Sequence, residues 1–184
     1  MALRARFFFS GTLFFVALAT IQAALVPGQT YVLKFVDVDG HVLSTAEGRT
    51  TVVVLTTSAD TTRARVVGDR IPDFCLANPN YRMITILNLN RKYQRFARRT
   101  ATWLIRLRLN AEANRLQQRY EVRKIQPDAR RDVFAVADFD GALTSQLGAK
   151  PAEATFAVFV FGRDGKLLRQ WNEVPSAAEL AAAL

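Results

Sequence analysis

The sequence has very little cysteine and histidine, and this scarcity excludes several kinds of site. One cysteine, Cys75, and one histidine, His41, occur among 184 residues. A single cysteine cannot form a disulfide within the chain, and two such residues are too few for a zinc site of the histidine and cysteine type. A hydrolytic triad would have to use His41, which follows the turn signal Asp39-Gly40 and is predicted to lie on the surface.

Carboxylate ladders and glycine-rich loops are also lacking. Asp37 with Asp39 and Asp138 with Asp140 come nearest to a calcium-binding pattern, but neither pair continues into the Asp-x-Asp-x-Asp-Gly ladder with a distant glutamate. Asx turns explain both pairs. The nine glycines punctuate turns and form no phosphate-binding loop. The sequence therefore predicts neither a metal site nor a cofactor.

The first residues have the composition of an export signal. Arg4 and Arg6 precede an uncharged run over residues 7–26, within which Ala17-Leu18-Ala19 fits the small-x-small cleavage pattern. The run of about 20 residues is also long enough to span a bilayer as an uncleaved anchor. Residues 1–24 are thus predicted to be a signal peptide or a membrane anchor, and the rest of the chain to be periplasmic or extracellular.

The excess positive charge is confined to one segment. The net charge is +9, and Arg91 to Arg131 alone holds 13 basic and 3 acidic residues. This segment is either a solvated helix face or a surface that binds an acidic protein or an anionic membrane, since arginine favours carboxylates and phosphates. Trp103 and Tyr120 among the arginines are typical of nucleic-acid binding, but the export signal argues against that partner. The candidate binding residues are Arg91, Lys92, Arg95, Arg98, Arg99 and Arg106.

Short apolar runs alternate with helical periodicity along residues 25–184, which are predicted to form one domain. Strands are predicted over residues 31–38, 41–43, 51–56, 81–89, 132–137, 156–161 and 166–171. Helices are predicted after the third, fourth, fifth and seventh of these strands. The order β-β-β-α-β-α-β-α-β-β-α predicts an α/β domain with a mixed, mainly parallel central sheet, a hairpin at each end and a closing helix.

The two main helices carry more detailed predictions. Ser58 or Asp60 is expected to cap the first helix, and Pro72 to end it. The inner face of this helix is predicted to comprise Val66, Val67, Ile71 and Phe74. The second helix is predicted over residues 91–124, broken near residues 110–114. Its apolar stripe, which an amphipathic helix turns towards the core, comprises Phe96, Thr100, Trp103, Leu104 and Leu107.

Three local patterns in this order resemble the thioredoxin-like superfamily, and most nearly its exported alkyl-hydroperoxide-reductase and thiol-specific-antioxidant branch. They are Asp37-x-Asp39-Gly40 before the valine-rich strand, Asp138-x-Asp140-Gly141 with Leu147-Gly148, and Phe159-Val-Phe-Gly-Arg-Asp-Gly-Lys166 with Trp171. Together they cover most of residues 30–184. The resemblance implies a thioredoxin-like fold.

The resemblance also implies where a redox site would lie. The family places a reactive cysteine pair at the start of the first main helix, where this sequence has Ala59 and Thr62, and a proline before the closing hairpin, where it has Phe156. All three positions are therefore degenerate.

Two functions remain open from the sequence. The leading hypothesis is an exported thioredoxin-fold protein without a dithiol site, which binds a partner through its basic helical face. The alternative is a divergent antioxidant or thiol-disulfide oxidoreductase that acts through Cys75. The simplest interpretation of Cys75, however, is a small buried hydrophobe.

Overall fold

The computed structural model describes residues 24–89, 95–150 and 156–184, and it confirms the predicted order of elements. The strands are β1 Lys34–Val36, β2 Val42–Ser44, β3 Thr50–Thr57, β4 Tyr81–Asn88, β5 Val133–Asp138, β6 Ala157–Phe161 and β7 Leu167–Trp171. The helices are α1 Thr61–Arg70, α2 Arg95–Val122, α3 Ala142–Gln146 and α4 Ala177–Ala183. Apart from Ala24, the predicted signal peptide or anchor lies outside the described residues. Within the described ranges, no helix has the length and apolarity needed to cross a bilayer.

The sheets have the mixed topology that the pattern predicts. Five strands form one sheet in the order β5-β4-β3-β6-β7, and β1 pairs with β2 in a separate hairpin. Strands β3, β4 and β5 are parallel, whereas β6 is antiparallel to β3 and β7 is antiparallel to β6. Strand β3 is central and buried on both sides along almost its whole length, which explains its unbroken apolar run.

Alternate residues of the five-stranded sheet point to two faces with different covers. On the hairpin face, Phe35 and Leu43 of the hairpin and Leu147 after α3 pack on Val53 and Ile84. The opposite side, the helix face, is covered by α1 and α4 over β3 and β6. Helix α2 covers a different part of it, over β5 and the end of β4.

A buried arginine ties β2 to the start of β4. The side chain of Arg82 is 2% exposed, and its guanidinium donates to the Ser44 carbonyl at 2.7 Å and to the Glu47 carboxylate at 2.9 Å. Its buried Nε, by contrast, has no partner among the described residues. The paired donors offset part of the cost of burying the charge and hold the hairpin against the start of β4.

Helix α1 ends where Pro72 predicts. Ile71 is already in extended backbone, because a residue that precedes proline disfavours the helical conformation. Val67 and Ile71 are buried as predicted and Val66 is half-buried, but the prediction for Phe74 was wrong: it is 54% exposed. The cause is a short 3-10 helix, Asp73–Cys75, which redirects the chain after Pro72.

Helix α2 is continuous, so the predicted break near residues 110–114 was wrong. Asparagine is only a moderate helix breaker, and the side chain of Asn110 accepts a 3.0 Å hydrogen bond from Arg130. A 3-10 helix of residues Ala129–Asp132 packs against α2 before β5 begins. The tertiary contact thus compensates for weak local propensity.

Candidate functional site

The strand-to-helix junction between β3 and α1 carries no nucleophile suited to redox chemistry. Ala59 and Thr62 are both exposed, so the two positions present a methyl group and a hydroxyl to solvent. Asp60 is the N-cap residue of α1, but its side chain accepts no backbone N–H. Its carboxylate instead pairs with Arg63 at 3.2 Å. Of the two predicted cap residues, Ser58 and Asp60, the structure selects Asp60, but without the predicted capping bond.

Phe156 lies against this junction. The ring is buried, directly precedes β6, and has the Arg63 guanidinium 3.9 Å above its centroid. A cation over an aromatic face is stabilising where both are partly desolvated. The space that faces the start of α1 is therefore occupied by an arginine–aromatic stack.

Cys75 is buried, and its thiol is a poor nucleophile. It belongs to the 3-10 helix after α1, is 9% exposed, and packs with Ile71 in the core beneath α1. Burial raises the pKa of the Cys75 thiol to about 11, an effect only partly offset by the charge of Arg119. Because the thiolate is the nucleophile, this thiol is almost entirely protonated near neutral pH.

The aspartate pairs form turns. Asp37 accepts N–H groups from Asp39 and His41 at 2.9 and 2.7 Å, and its second oxygen meets the His41 ring at 2.8 Å. This group is close enough to surround an ion, but its carboxylates are already committed, since Asp39 pairs with two arginines. Asp138 likewise accepts both the N–H and the hydroxyl of Thr144. His41 is exposed, as predicted.

Much of the positive charge of the basic segment is neutralised within the molecule. Asp39 binds both Arg106 and Arg130, and Asp73 binds both Arg119 and Arg123. Of the predicted binding residues, Arg106 is thus an internal contact, which also donates to the carbonyl of Val38. Arg91 and Lys92 lie outside the described residues, and for Arg95 only its place at the start of α2 is described.

Two other predicted binding residues remain at the surface. Arg98 lies over the ring of Phe139, at 5.2 Å from its centroid. Arg99 is exposed and has no acidic partner among the residues that the structure describes. The same holds for Arg108 and Arg131. Arg99, Arg108 and Arg131 therefore leave positive charge at the surface of α2 and of the 3-10 helix that follows it.

The apolar stripe of α2 is real, but its predicted direction was wrong. Trp103 is 56% exposed, and Leu104 and Leu107 are each 47% exposed. The buried positions of α2 are Ala101, Ile105, Leu109, Ala113 and Tyr120. Apolar residues between 101 and 109 occupy most of the helix circumference, so periodicity alone offers two stripes. The stripe that contains Ile105 and Leu109 is buried, because these two side chains pack on Leu87 and Ala135.

A large groove lies on the helix face between α1 and α2. Its floor is β4, where Met83 and Thr85 are only half-buried, and its volume is about 920 Å³. The apolar cluster beneath α1 is separate from the cluster beneath α2, so apolar packing does not connect the two helices. Ion pairs span the gap instead: Arg65 binds Glu112, and Arg115 binds Asp69. We call this space the helix-face groove; sequence periodicity carried no signal for it.

Tyr120 closes one end of the helix-face groove. Its buried hydroxyl donates to Asp132 at 2.6 Å and accepts the backbone N–H of Ala77 at 2.9 Å. Burial, together with the Asp132 carboxylate, raises the pKa of Tyr120, so the hydroxyl stays protonated. Cys75 and Ala77 line the groove beside it.

Comparison with known proteins identifies the architecture. No protein-family model and no curated protein matches the sequence. Among solved structures, the exposed lipoprotein thioredoxin of Streptococcus pneumoniae superposes with a TM-score of 0.51 at 14% identity, over 83% of this chain and 98% of that one. The chain has the thioredoxin-like fold.

Other structures of the thioredoxin-like fold superpose equally well. A Chlorobium tepidum protein assigned as the thiol:disulfide interchange protein DsbE gives a TM-score of 0.51 at 14% identity, over 86% of this chain and 94% of that one. A Neisseria meningitidis protein assigned as a thioredoxin gives a TM-score of 0.51 at 11% identity, over 85% of this chain and 87% of that one. Identities this low establish the fold only. With a single cysteine, this thioredoxin-like chain has no Cys-x-x-Cys pair.

Proposed function

We propose that this chain is an exported thioredoxin-fold protein that acts by binding, and that it docks on anionic membrane surfaces. The docking surface is the outer face of α2, which we define as Arg99, Trp103, Leu104 and Leu107. It lies opposite the buried stripe of the same helix. The observation that carries the proposal is the exposure of one tryptophan and two leucines there, at 47–56% each.

Spacing and side-chain type favour a lipid interface. Positions 99, 103 and 107 are four residues apart, and position 104 is three residues from 107, so the four lie on one side of a helix. Tryptophan and leucine beside arginine are typical of helices that lie in the interfacial plane of a bilayer. A run of exposed large apolar side chains on one helix also indicates an interaction surface rather than a solvated one.

Charge complementarity selects an anionic surface. The chain carries a net charge of +9, and Arg99 has no acidic partner among the described residues. Arginine makes paired hydrogen bonds to phosphate. An acidic protein offers the charge but no acyl region for Trp103 and its neighbours, so we favour the membrane.

The thiol-dependent alternative is less well supported. An oxidant or disulfide would have to react with Cys75, which is 9% exposed. Burial raises the pKa of this thiol to about 11. An enzyme of this type needs an accessible thiolate near neutral pH, and the junction at Ala59 and Thr62 contributes no second thiol.

Binding to vesicles tests the charge contribution. We expect the full chain to sediment with phosphatidylglycerol vesicles and much less with phosphatidylcholine vesicles. Arg99→Gln should weaken partitioning roughly fivefold, since each arginine near such a surface contributes about 1 kcal/mol. Arg163→Gln is the matched control, because it removes the same charge from an exposed position outside α2.

A second pair of variants tests the apolar contribution. Trp103→Ser with Leu107→Ser should abolish most of the remaining partitioning, whereas Val122→Ser should not. Val122 is 80% exposed and lies on the same helix, about 22 Å from Leu107. If the test and control variants partition equally into vesicles, the outer face of α2 is a solvated surface without a role in membrane binding. Binding to polyglutamate but not to vesicles would assign an acidic protein instead.

A further inference from the structure

We infer that the helix-face groove binds a long-chain aliphatic carboxylate. This site is separate from the outer face of α2, because it lies on the side of the helix that faces α1. The inference rests on the shape of the groove, its apolar floor and the charge of its rim.

The floor fits an extended hydrocarbon chain. It runs along β4 through Met83 and Thr85 and ends at Leu87, which is buried beneath α2 about 13 Å from Met83 at 3.3 Å per residue. Ala64 and Ile71 line it from the α1 side, and Leu116 from the α2 side. The volume of about 920 Å³ is at the upper end of the roughly 300–1,000 Å³ of small-molecule sites.

The partial exposure of the floor indicates that a ligand covers it. Met83 and Thr85 belong to a strand that is hydrogen-bonded on both sides, by β3 and β5. Side chains in such a position are normally sealed by packed helices. Here α1 and α2 leave them half-buried, and an acyl chain would complete the cover.

The rim favours an anionic headgroup. Most of the arginines that line the groove are paired internally, among them Arg65 with Glu112 and Arg115 with Asp69. Arg108 and Arg131 have no acidic partner among the described residues, so a ligand anion need not displace an internal one.

Two ion pairs within the protein show that other arginines of the groove bind carboxylates. Arg65 binds the carboxylate of Glu112, and Arg115 binds that of Asp69, both across the mouth of the groove. A ligand carboxylate can make the same geometry with a neighbouring arginine. The pairs are half-exposed and therefore weak, so they can part to admit a chain.

Methionine NMR tests this site directly. The chain contains two methionines, Met1 and Met83, so ¹³C-methyl labelling gives one signal from the groove floor, assigned with Met83→Leu. We expect laurate to shift the Met83 signal saturably, and dodecanol to bind at least tenfold more weakly. Absence of a shift below the micelle limit of laurate, or equal binding of dodecanol, would overturn the proposal.

Variants of the floor and rim separate the two contributions. Thr85→Phe should fill the floor and abolish laurate binding, with its urea midpoint measured to verify folding. Arg108→Gln with Arg131→Gln should weaken laurate about tenfold or more and leave dodecanol unchanged. The control is Arg163→Gln with Arg169→Gln, which should not affect laurate. Undiminished laurate binding in the floor and rim variants would contradict the assignment.

The same variants distinguish this inference from the membrane proposal. Trp103→Ser with Leu107→Ser should leave the laurate-induced shift of Met83 unchanged. Thr85→Phe should leave vesicle partitioning unchanged. Loss of laurate binding in the outer-face variant would mean that the fatty acid binds there and not in the groove.

Discussion

Neighbouring residues of β4 meet two different environments. Ile84 and Ile86 on the hairpin face are fully buried, at 0% exposure each. Met83 and Thr85, which alternate with them on the helix face, are only half-buried. Strand β4 is therefore sealed on the hairpin face and partly open on the helix face at Met83 and Thr85.

The covering elements explain this difference. On the hairpin face, the β1–β2 hairpin, β4 and the residues after α3 form one continuous apolar cluster. On the helix face, α1 and α2 belong to separate clusters, and ion pairs between partly exposed side chains connect them. Such pairs contribute at most about 1 kcal/mol each, so they restrain the helices without closing the floor.

The largest expected effect is on the sealed face. Ile86→Ala should lower the free energy of unfolding by about 2–5 kcal/mol, because it leaves a cavity in a packed core. Met83→Ala, the matched change on the open face, should lower it by less than about 1.5 kcal/mol, since the neighbours of Met83 do not enclose it. Urea unfolding of both variants measures the difference. Equal losses would show that the two faces are equally packed.

A smaller effect concerns reactivity at the edge of the open face. Because burial raises the pKa of Cys75 from about 9 to about 11, the thiolate is the disfavoured form in the folded state. At pH 8, alkylation of the native protein by iodoacetamide should be about one hundredfold slower than that of the unfolded chain. The native rate should rise about tenfold per pH unit towards pH 11. A native rate that levels off near pH 8 would contradict the burial of this thiol and restore the enzyme alternative.

The smallest effect is expected at the ion pairs that span the groove. A double-mutant cycle with Arg65→Gln and Glu112→Gln should give a coupling energy between 0 and about 1 kcal/mol, reduced in 1 M salt. Chemical denaturation with urea, which leaves the ionic strength unchanged, provides the measurement. A coupling above about 2 kcal/mol that persists in salt would mean that the mouth of the groove is a rigid part of the fold.

Much of the fold was predictable because local pattern specifies local structure. The valine-rich run of β3, the proline after α1 and the glycine turns each mark an element boundary, and the predicted order of eleven elements is confirmed. The thioredoxin-like resemblance is confirmed at the level of the fold. The site was less predictable: the degenerate positions Ala59, Thr62 and Phe156 could be named, but their roles stay predictions.

The orientation of α2 shows why the remainder could not be predicted. Its sequence carries two apolar stripes, and the one with the larger side chains, Trp103, Leu104 and Leu107, was expected to be buried. The helix turns the other way, so that Ile105 packs on Leu87 and Arg106 reaches Asp39, which is 67 residues away in the chain. A choice between two stripes depends on such distant partners, which periodicity does not encode.

The amino-acid sequence by itself determined the element order, the absence of a cysteine pair and the concentration of arginine beyond residue 90. These properties follow from composition and from periods of two and 3.6 residues, which are local. Only the tertiary structure decided which arginines are neutralised, which face of α2 is exposed and that a groove opens over β4. Each of these depends on the distance between segments that are remote in sequence, because ion pairing and burial act through space rather than along the chain.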